Sequence, residues 1–203
     1  LTDTNADGVV GPTDRRAIVV IERGAARVHA FDAVSGSPLW TRDLGGAVES
    51  NTVPAIADVD RDGWPEILVH AAVSGGSPTL VALNADGTLK WRGNGPSQGP
   101  PNEAMAIAVG DLAEHPGLEI AVGNAVYDAT GQRLFLAAVD RAGYVTTRAP
   151  FFYDVDGDGQ EDVVFGRRVY RGDGSQLRAW QSTWTAAPSI SHSAPANLDA
   201  DDA

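Results

Sequence analysis

Two acidic stretches of the sequence have the composition and spacing of a metal-binding loop. Each places acids at positions 1, 3, 5 and 9 and a glycine at position 6: Asp58, Asp60, Asp62, Gly63 and Glu66, and Asp154, Asp156, Asp158, Gly159 and Asp162. In a tight turn the alternating carboxylates point to one centre, and the glycine permits the sharp bend. The donors are all oxygen, which suits a hard cation and favours Ca²⁺ over Mg²⁺, because no octahedral water shell is required.

These positions predict two calcium sites and suggest a third. The first site uses Asp58, Asp60, Asp62, the carbonyl of Trp64, and Glu66, and the second uses Asp154, Asp156, Asp158, the carbonyl of Gln160, and Asp162. The third, near the start of the chain, uses Asp3, Asn5, Asp7, the carbonyl of Val9, and Asp14. The alternative interpretation is that these Asp-rich segments only make Asx turns on a solvated acidic face.

The stretch from Asp3 to Asp14 has the twelve-residue length of an EF-hand loop. An EF-hand loop leads into an amphipathic helix, whereas AIVVIE (Ala17 to Glu22) is a β-branched run that favours a strand. We therefore interpret this stretch as a loop of the same kind as the other two, with a small insertion.

A fourth stretch keeps only part of the pattern. Asp111 and Glu119 retain the spacing of the first and last acids, but Ala113 and His115 replace the two acids between them. Too few hard ligands remain, so this loop is predicted to hold no metal.

The acidic stretches mark an internal repeat. Their first acids, including a copy cut off at Asp199, are 55, 53, 43 and 45 residues apart. The turn glycines Gly36, Gly87, Gly131 and Gly174 follow the same period, at intervals of 51, 44 and 43 residues. Each unit has four short strand-like segments, such as PAIADV, EILVHA, TLVALN and TLKW, and four strands in about 40 to 50 residues are typical of a β-propeller blade.

The predicted fold is therefore all-β, a propeller built from four-stranded antiparallel blades. One propeller domain or propeller fragment covers residues 1–203, with blades near 1–52, 53–104, 105–147 and 148–192 and the start of another at 193–203. About four blades' worth of sequence is present. Either the last strand completes the first blade of a four-bladed ring, or the chain is a segment of a seven- or eight-bladed ring, which we favour.

The repeated unit resembles the FG-GAP or VCBS repeats of integrin-like β-propellers. It consists of an apolar strand, then D-x-D-x-D-G-x-x-[DE], then a strand such as EILVHA or DVVFG. The resemblance covers essentially the whole chain. It implies calcium in the loops between the first and second strands of the blades. It also implies an extracellular or cell-surface location, in a bacterium, and similar calcium-rich blades occur in some rhamnogalacturonan lyases.

Composition narrows the function classes. The net charge of -12 argues against nucleic acid as a partner, and the lack of cysteine excludes disulfides and thiolate metal sites. No run of 18 apolar residues is present, so membrane insertion is not predicted, and no signal peptide is visible in this chain. The four histidines are scattered and form no catalytic or metal-binding spacing.

The leading functional hypothesis is a non-catalytic calcium-binding module for extracellular adhesion or for recognition of a protein or glycan. The alternative is a fragment of a secreted carbohydrate-active enzyme, such as a rhamnogalacturonan lyase, whose catalytic groups lie elsewhere. Trp40, Trp91 and Trp180 recur at equivalent strand ends and are predicted to be structural, whereas Trp64 and Trp184 break the repeat and are candidates for aromatic contacts.

Overall fold

The computed structural model describes residues 8, 14–22, 25–48, 53–73, 78–97, 105–138 and 149–179, except for the side chains of residues 47, 48, 72 and 73. All sixteen regular elements within these ranges are β-strands. The predicted all-β class is therefore confirmed. No helix among the described residues has the length and apolar character needed to cross a membrane.

The strands form four separate antiparallel sheets that follow one another along the chain. The first sheet contains β1 (Ala17–Glu22), β2 (Arg27–Asp32) and β3 (Pro38–Asp43). The second contains β4 (Gly46–Val48), β5 (Ala55–Ala57), β6 (Glu66–Val73), β7 (Thr79–Leu83) and β8 (Leu89–Arg92). The third contains β9 (Ile107–Gly110), β10 (Glu119–Val122), β11 (Ala125–Tyr127) and β12 (Arg133–Leu136), and the fourth contains β13 (Phe151–Tyr153), β14 (Asp162–Phe165), β15 (Arg168–Tyr170) and β16 (Gln176–Ala179).

The strand β4 was not foreseen from the sequence. It falls within the predicted unit 1–52, yet it pairs with β6 of the second sheet, Gly46 opposite Val73 and Val48 opposite Ala71. The strand β5 pairs with the other end of β6, so β4 and β5 share one edge of that long strand.

The last hairpin of every sheet is built in the same way. Its strands shift register by one residue just before the turn, at Ala30/Phe31, Ala82/Leu83, Val126/Tyr127 and Val169/Tyr170. The turn glycines Gly36, Gly87, Gly131 and Gly174 have φ angles of 70°, 83°, 85° and 79°. Since L-residues rarely adopt this conformation, the glycine period seen in the sequence reflects a repeated requirement of the backbone.

An aromatic side chain from one sheet packs against the turn glycine of the next. A Cβ atom built on Gly87 would lie 2.6 Å from Trp40, one on Gly131 would lie 2.5 Å from Trp91, and one on Gly174 would lie 3.0 Å from Phe135. The indole Nε1 of Trp40 also donates a hydrogen bond of 3.1 Å to the carbonyl of Ala85. Trp40 and Trp91 therefore pack between sheets, as a structural role requires, while Trp180 and Trp184 lie outside the described residues.

In the part of the chain that the structure describes, three apolar cores lie between successive sheets. Because neighbouring residues of a strand face opposite sides, β6 contributes to two cores at once. Ile67 and Val69 pack with Val28 of the first sheet, whereas Leu68 packs with Ile120 of the third. Val163 and Phe165 of the fourth sheet join Ala121 and Val126 of the third in the last core. The sheets thus stack in chain order, and the middle strands of the second, third and fourth sheets are largely buried on both faces, whereas β2 of the first sheet is buried on one face.

Candidate metal centre

The acidic loops occupy the same place in the second, third and fourth sheets. Residues 58–65 connect β5 to β6, residues 111–118 connect β9 to β10, and residues 154–161 connect β13 to β14. The last acid of each pattern, Glu66, Glu119 or Asp162, is the first residue of the following strand and is buried.

A common hydrogen bond fixes this last acid. Its carboxylate accepts the backbone N–H of the second loop residue, at 2.9 Å from Val59, 2.7 Å from Leu112 and 3.1 Å from Val155. In each loop one carboxylate oxygen therefore satisfies a backbone donor that the turn would otherwise leave buried and unpaired.

The first acid organises the rest of the loop at Asp58. Its carboxylate accepts the backbone N–H groups of Asp62 at 3.0 Å and of Gly63 at 2.9 Å. Gly63 has a φ of 91°, which lets the chain turn sharply at this point. As a result, carboxylate oxygens of Asp58, Asp60 and Asp62 all lie within 4.8 Å of one another.

The loop at Asp154 follows the same plan. Asp154 accepts the backbone N–H groups of Asp158 at 3.1 Å and of Gly159 at 2.9 Å. Here the oxygens within 4.8 Å of one another belong to Asp154, Asp156 and Asp162. Two acids of the predicted sets stand apart from these groups: Asp158 accepts the N–H of Gln160 at 2.9 Å, and Glu66 is bonded to Val59 and to a lysine.

That lysine is Lys90 of β8, the single lysine of the sequence. Its Nζ lies 2.5 Å from Oδ2 of Asp60, 2.8 Å from Oε1 of Glu66 and 3.5 Å from Oδ2 of Asp62. Burial opposes the charge on Lys90, but the hydrogen bonds to Asp60 and Glu66 outweigh it and raise the pKa of the ammonium. Burial also raises the pKa of the Glu66 carboxyl, although the bond to Lys90 acts against this. The chain thus supplies a cation to its own acidic loop.

The loop at Asp154 is also approached by a cation. The guanidinium of Arg171, in the turn after β15, donates to Oδ2 of Asp156 at 2.7 Å, and this bond raises the pKa of Arg171. Burial raises the pKa of Asp162, and the negative charges of Asp156 and Asp158 act in the same direction. Neither Lys90 nor Arg171 was foreseen, because no local sequence pattern links them to acids 15 to 30 residues earlier in the chain.

The first loop is described only at Gly8 and Asp14. Asp3, Asn5, Asp7 and Val9 lie outside the described residues, so the third predicted site stays a prediction. Gly8 has a φ of 86°, close to the 91° of Gly63, and its carbonyl lies 3.5 Å from a Cβ built on Gly63. Asp14 is buried, as the last acids of the other loops are. Gly8 therefore lies beside the loop at Asp58.

The loop at Asp111 takes a different path. Its left-handed residues are Ala113 and Gly117, the third and seventh of the loop, whereas the other two loops use the fourth and sixth. The guanidinium of Arg61 pairs with Oδ2 of Asp111, and the backbone N–H of Asp111 donates to Glu161 at 2.7 Å. This loop is thus bonded to both neighbouring acidic loops.

A cleft of about 580 Å³ adjoins the loop at Asp58. Trp64, one of the larger exposed apolar side chains, lines it together with Trp40, Arg15 and Asp86. Asp62 and Glu66 also line the cleft, so it combines an indole face with carboxylates directly beside the candidate metal loop.

Comparison with known proteins finds solved structures that share this architecture. No protein-family model matches the chain, and no curated protein sequence does. The chain is similar to the biofilm matrix protein Bap1 of V. cholerae, with 26% identity and a TM-score of 0.68 over 90% of this chain. It is also similar to the rhamnogalacturonan lyase YesW, with 22% identity and a TM-score of 0.54, and to the Bacillus licheniformis rhamnogalacturonan lyase PL11, with 20% identity and a TM-score of 0.53.

These similarities concern part of each known protein. The chain spans 30% of the Bap1 chain and 27% of each lyase chain, and it matches both lyases over 78% of its own length. The likeness to the lyases shows a shared all-β fold. The resemblance to FG-GAP and VCBS repeats remains a prediction, as do the carbonyl ligands at Trp64 and Gln160.

Proposed function

We propose that this chain is a calcium-binding segment of a β-propeller that acts outside the cell in adhesion, by recognising a protein or a glycan. The observation that carries the proposal is the paired construction of the loops at Asp58 and Asp154. Each gathers three carboxylates within 4.8 Å of one another in an equivalent connection, from β5 to β6 or from β13 to β14.

Calcium fits the donors of these loops. The first acid of each loop is held by the backbone of its own loop, so its carboxylate is fixed before any ion arrives. Like charges 4 Å apart repel by about 1 to 4 kcal/mol under watery to surface-like screening. Lys90 pairs with Asp60 and Asp62, and Arg171 pairs with Asp156, so each relieves part of this repulsion. A divalent cation at the centre of each group of carboxylates would relieve the rest.

The propeller assignment is supported by the regular relation between sheets. The aromatic-to-glycine contact recurs three times, and each pair of successive sheets encloses its own core. A constant step from blade to blade is what a propeller ring needs. We propose blades near residues 1–52, 53–104, 105–147 and 148–192, as a segment of a seven- or eight-bladed ring.

Adhesion is the role that the similarity to Bap1 favours, since Bap1 is a biofilm matrix protein. The cleft beside the loop at Asp58 offers a surface of suitable chemistry, because an exposed indole next to carboxylates can stack on a sugar ring and bond to its hydroxyls. The corresponding location is outside a bacterial cell or on its surface.

Calcium titration after EDTA treatment tests the metal sites. We expect calorimetry to detect calcium binding. The number of ions bound should fall by one in Asp60→Asn and by one in Asp156→Asn. Asp43→Asn, which changes an exposed acid outside the loops, should bind as the unaltered protein does. Unchanged stoichiometry in both loop variants would show that the sites are wrongly assigned.

The recognition role needs a separate assay. We expect calcium-loaded protein to bind a subset of glycans or matrix proteins on arrays, and Trp64→Ala to reduce that binding without reducing calcium binding. A lyase assay on rhamnogalacturonan tests the alternative function. Formation of unsaturated product, detected by ultraviolet absorbance, would contradict the non-catalytic adhesion role and support a lyase function.

A further inference from the structure

The cleft beside the loop at Asp58 lies between the first and second sheets. One wall comes from β3 and the segment before β1, and the other comes from the β5–β6 loop and the β7–β8 turn. The hydrogen bond from Trp40 to the carbonyl of Ala85 ties the two walls together. The volume of about 580 Å³ is within the range of about 300 to 1,000 Å³ that is typical of sites for small organic ligands. Six lining residues are charged or aromatic: Arg15, Trp40, Asp62, Trp64, Glu66 and Asp86.

The surroundings of the cleft carry more negative than positive charge. The basic residue of the lining, Arg15, is already paired with Asp32, at 3.0 Å from Nε to Oδ2. Lys90, which lies outside the lining, pairs with Asp60 at 2.5 Å and with Glu66 at 2.8 Å. The lining and these partners together contain five carboxylates, of Asp32, Asp60, Asp62, Glu66 and Asp86, and two basic groups, a formal charge of -3.

Asp86 is the acid of the lining that is best placed to meet a positively charged ligand. Its Oδ1 accepts the backbone N–H of Thr88 at 2.9 Å and the Thr88 hydroxyl at 2.6 Å. These bonds lower the pKa of Asp86, so the carboxyl stays ionised, and no cation of the described residues contributes to that shift. The residue is exposed, and Oδ2 is left for a ligand.

Trp64 places an aromatic face next to a second carboxylate. Its backbone N–H donates to Oδ1 of Asp62 at 2.8 Å, and both residues are exposed. Lys90 is only a distant partner of Asp62, at 3.5 Å. An indole face attracts a cation, and a carboxylate binds an ammonium group through charge-assisted hydrogen bonds. A ligand that has both an apolar ring face and a positive charge therefore satisfies both groups.

We propose that this cleft binds a glycan through a protonated amino sugar, whose ring stacks on Trp64 and whose ammonium group pairs with the carboxylates of Asp62 and Asp86. The proposal rests on the recognition role put forward above and names the class of sugar. A sugar acid would add to the negative charge and be repelled, and a neutral sugar would leave that charge unpaired. A glycan is favoured over a basic protein because Asn84 and Arg15 add polar groups for sugar hydroxyls to the lining.

Calorimetry with two matched oligosaccharides tests this preference. A tetramer of glucosamine and a tetramer of N-acetylglucosamine share the same ring, but acetylation removes the positive charge of the amine. At a pH where the amine is protonated, the glucosamine tetramer should bind at least about tenfold more tightly, as one charge-assisted hydrogen bond implies. The measurement is made once in EDTA and once with calcium, so that it does not depend on an ion in the loop at Asp58.

Variants locate the effect in the cleft. Asp86→Asn should remove most of the preference for the amine, and Trp64→Ala should weaken the binding of both tetramers. Asp43→Asn removes an exposed acid outside the cleft and should keep the preference unchanged.

Each other outcome contradicts the proposal in a different way. Equal binding of the two tetramers in EDTA and in calcium would overturn it and leave recognition of a neutral glycan standing. A preference that survives in Asp86→Asn would place the recognition of charge elsewhere. Tighter binding of a trilysine peptide than of the glucosamine tetramer would assign the cleft to a basic protein. If neither tetramer nor any glycan of an array bound, the glycan-recognition role itself would fail.

Discussion

Lys90 shows how one side chain can set the properties of an acidic loop. Its ammonium lies among carboxylates of Asp60, Asp62 and Glu66, so it neutralises part of the charge that would attract a metal. The same contact relieves repulsion when no metal is bound. Lys90 therefore stabilises the metal-free loop and competes with the cation that we propose for it.

Replacing Lys90 by Met separates these two effects. In EDTA, Lys90→Met should lower the free energy of unfolding by about 1 to 3 kcal/mol, because the buried Glu66 loses its counter-charge. With calcium, the variant should bind more tightly than the unaltered protein. Chemical unfolding and calorimetry measure the two quantities, and Arg178→Met removes an exposed positive charge as a control. Weaker calcium binding in Lys90→Met would contradict this competition.

His70 makes stability depend on pH. It is fully buried in β6, its Nε2 lies 2.5 Å from Oγ of Ser97, and burial lowers its pKa from 6.5 to about 4. Below pH 6.5 the unfolded chain takes up a proton that the folded protein refuses, so the free energy of unfolding should fall as the pH drops towards 4. The full effect is about 3 kcal/mol.

The comparison with His70→Gln isolates this contribution. Buried acids whose pKa is raised, such as Glu119 and Asp162, act in the opposite direction, but they are common to both proteins. The stability difference between the two proteins should therefore shrink as the pH falls from about 7 to about 4. Urea unfolding at each pH measures it, and a constant difference would exclude His70 as the cause.

The sequence predicts the acids of the site better than their partners. The alternation of Asp58, Asp60 and Asp62 is local, so the turn that brings them together is visible in the residues themselves. Lys90 and Arg171 reach the loops through strand pairing and sheet twist, and a single sequence does not reveal these. The contact between His115 and Glu119, with Nδ1 3.7 Å from Oε1, was missed because the loop was judged only by the calcium ligands that it had lost.

At the scale of elements, the hairpin glycines join neighbouring sheets as well as closing turns. Gly131 has a φ of 85° and lies against Trp91 of the preceding sheet, whereas Gly36 has a φ of 70° and has no atom within 4 Å of a built Cβ. The two glycines share one backbone requirement and differ in the contact with an aromatic ring. The strand pattern and the glycine period predicted these hairpins, but β4 was missed because three residues carry too little pattern.

Alanine substitution measures that difference. Gly131→Ala should destabilise the protein by about 2 to 4 kcal/mol, from the left-handed backbone together with the clash against Trp91. Gly36→Ala should cost about 1 to 2 kcal/mol, because only the backbone term applies. Thermal and chemical unfolding of both variants provide the measurement. Equal costs would mean that the ring contact contributes little to joining the sheets.

At the scale of the whole molecule, repulsion between negative charges opposes the packing of the four sheets against one another. The apolar cores hold four sheets side by side, while the formal net charge of -12 favours expansion. The acidic loops of the second, third and fourth sheets are linked through Asp111, which pairs with Arg61 and bonds to Glu161. A metal ion bound at one loop, as we propose, would therefore act on charges that the neighbouring loops share.

Salt and bound calcium should both weaken this repulsion, so each should reduce the stabilising effect of the other. Raising the salt from about 0.01 M to about 1 M shortens the screening length from about 30 Å to about 3 Å, so the melting temperature in EDTA should rise by several degrees. Two bound Ca²⁺ would bring the formal charge from -12 to -8, and the salt effect should then be smaller. The double variant Asp60→Asn and Asp156→Asn should show a reduced salt effect in EDTA and little response to calcium. NaCl and KCl should act equally, since screening does not depend on the identity of the cation. If salt changed the melting temperature equally with and without calcium, repulsion within the acidic loops would not be the cause of the salt effect.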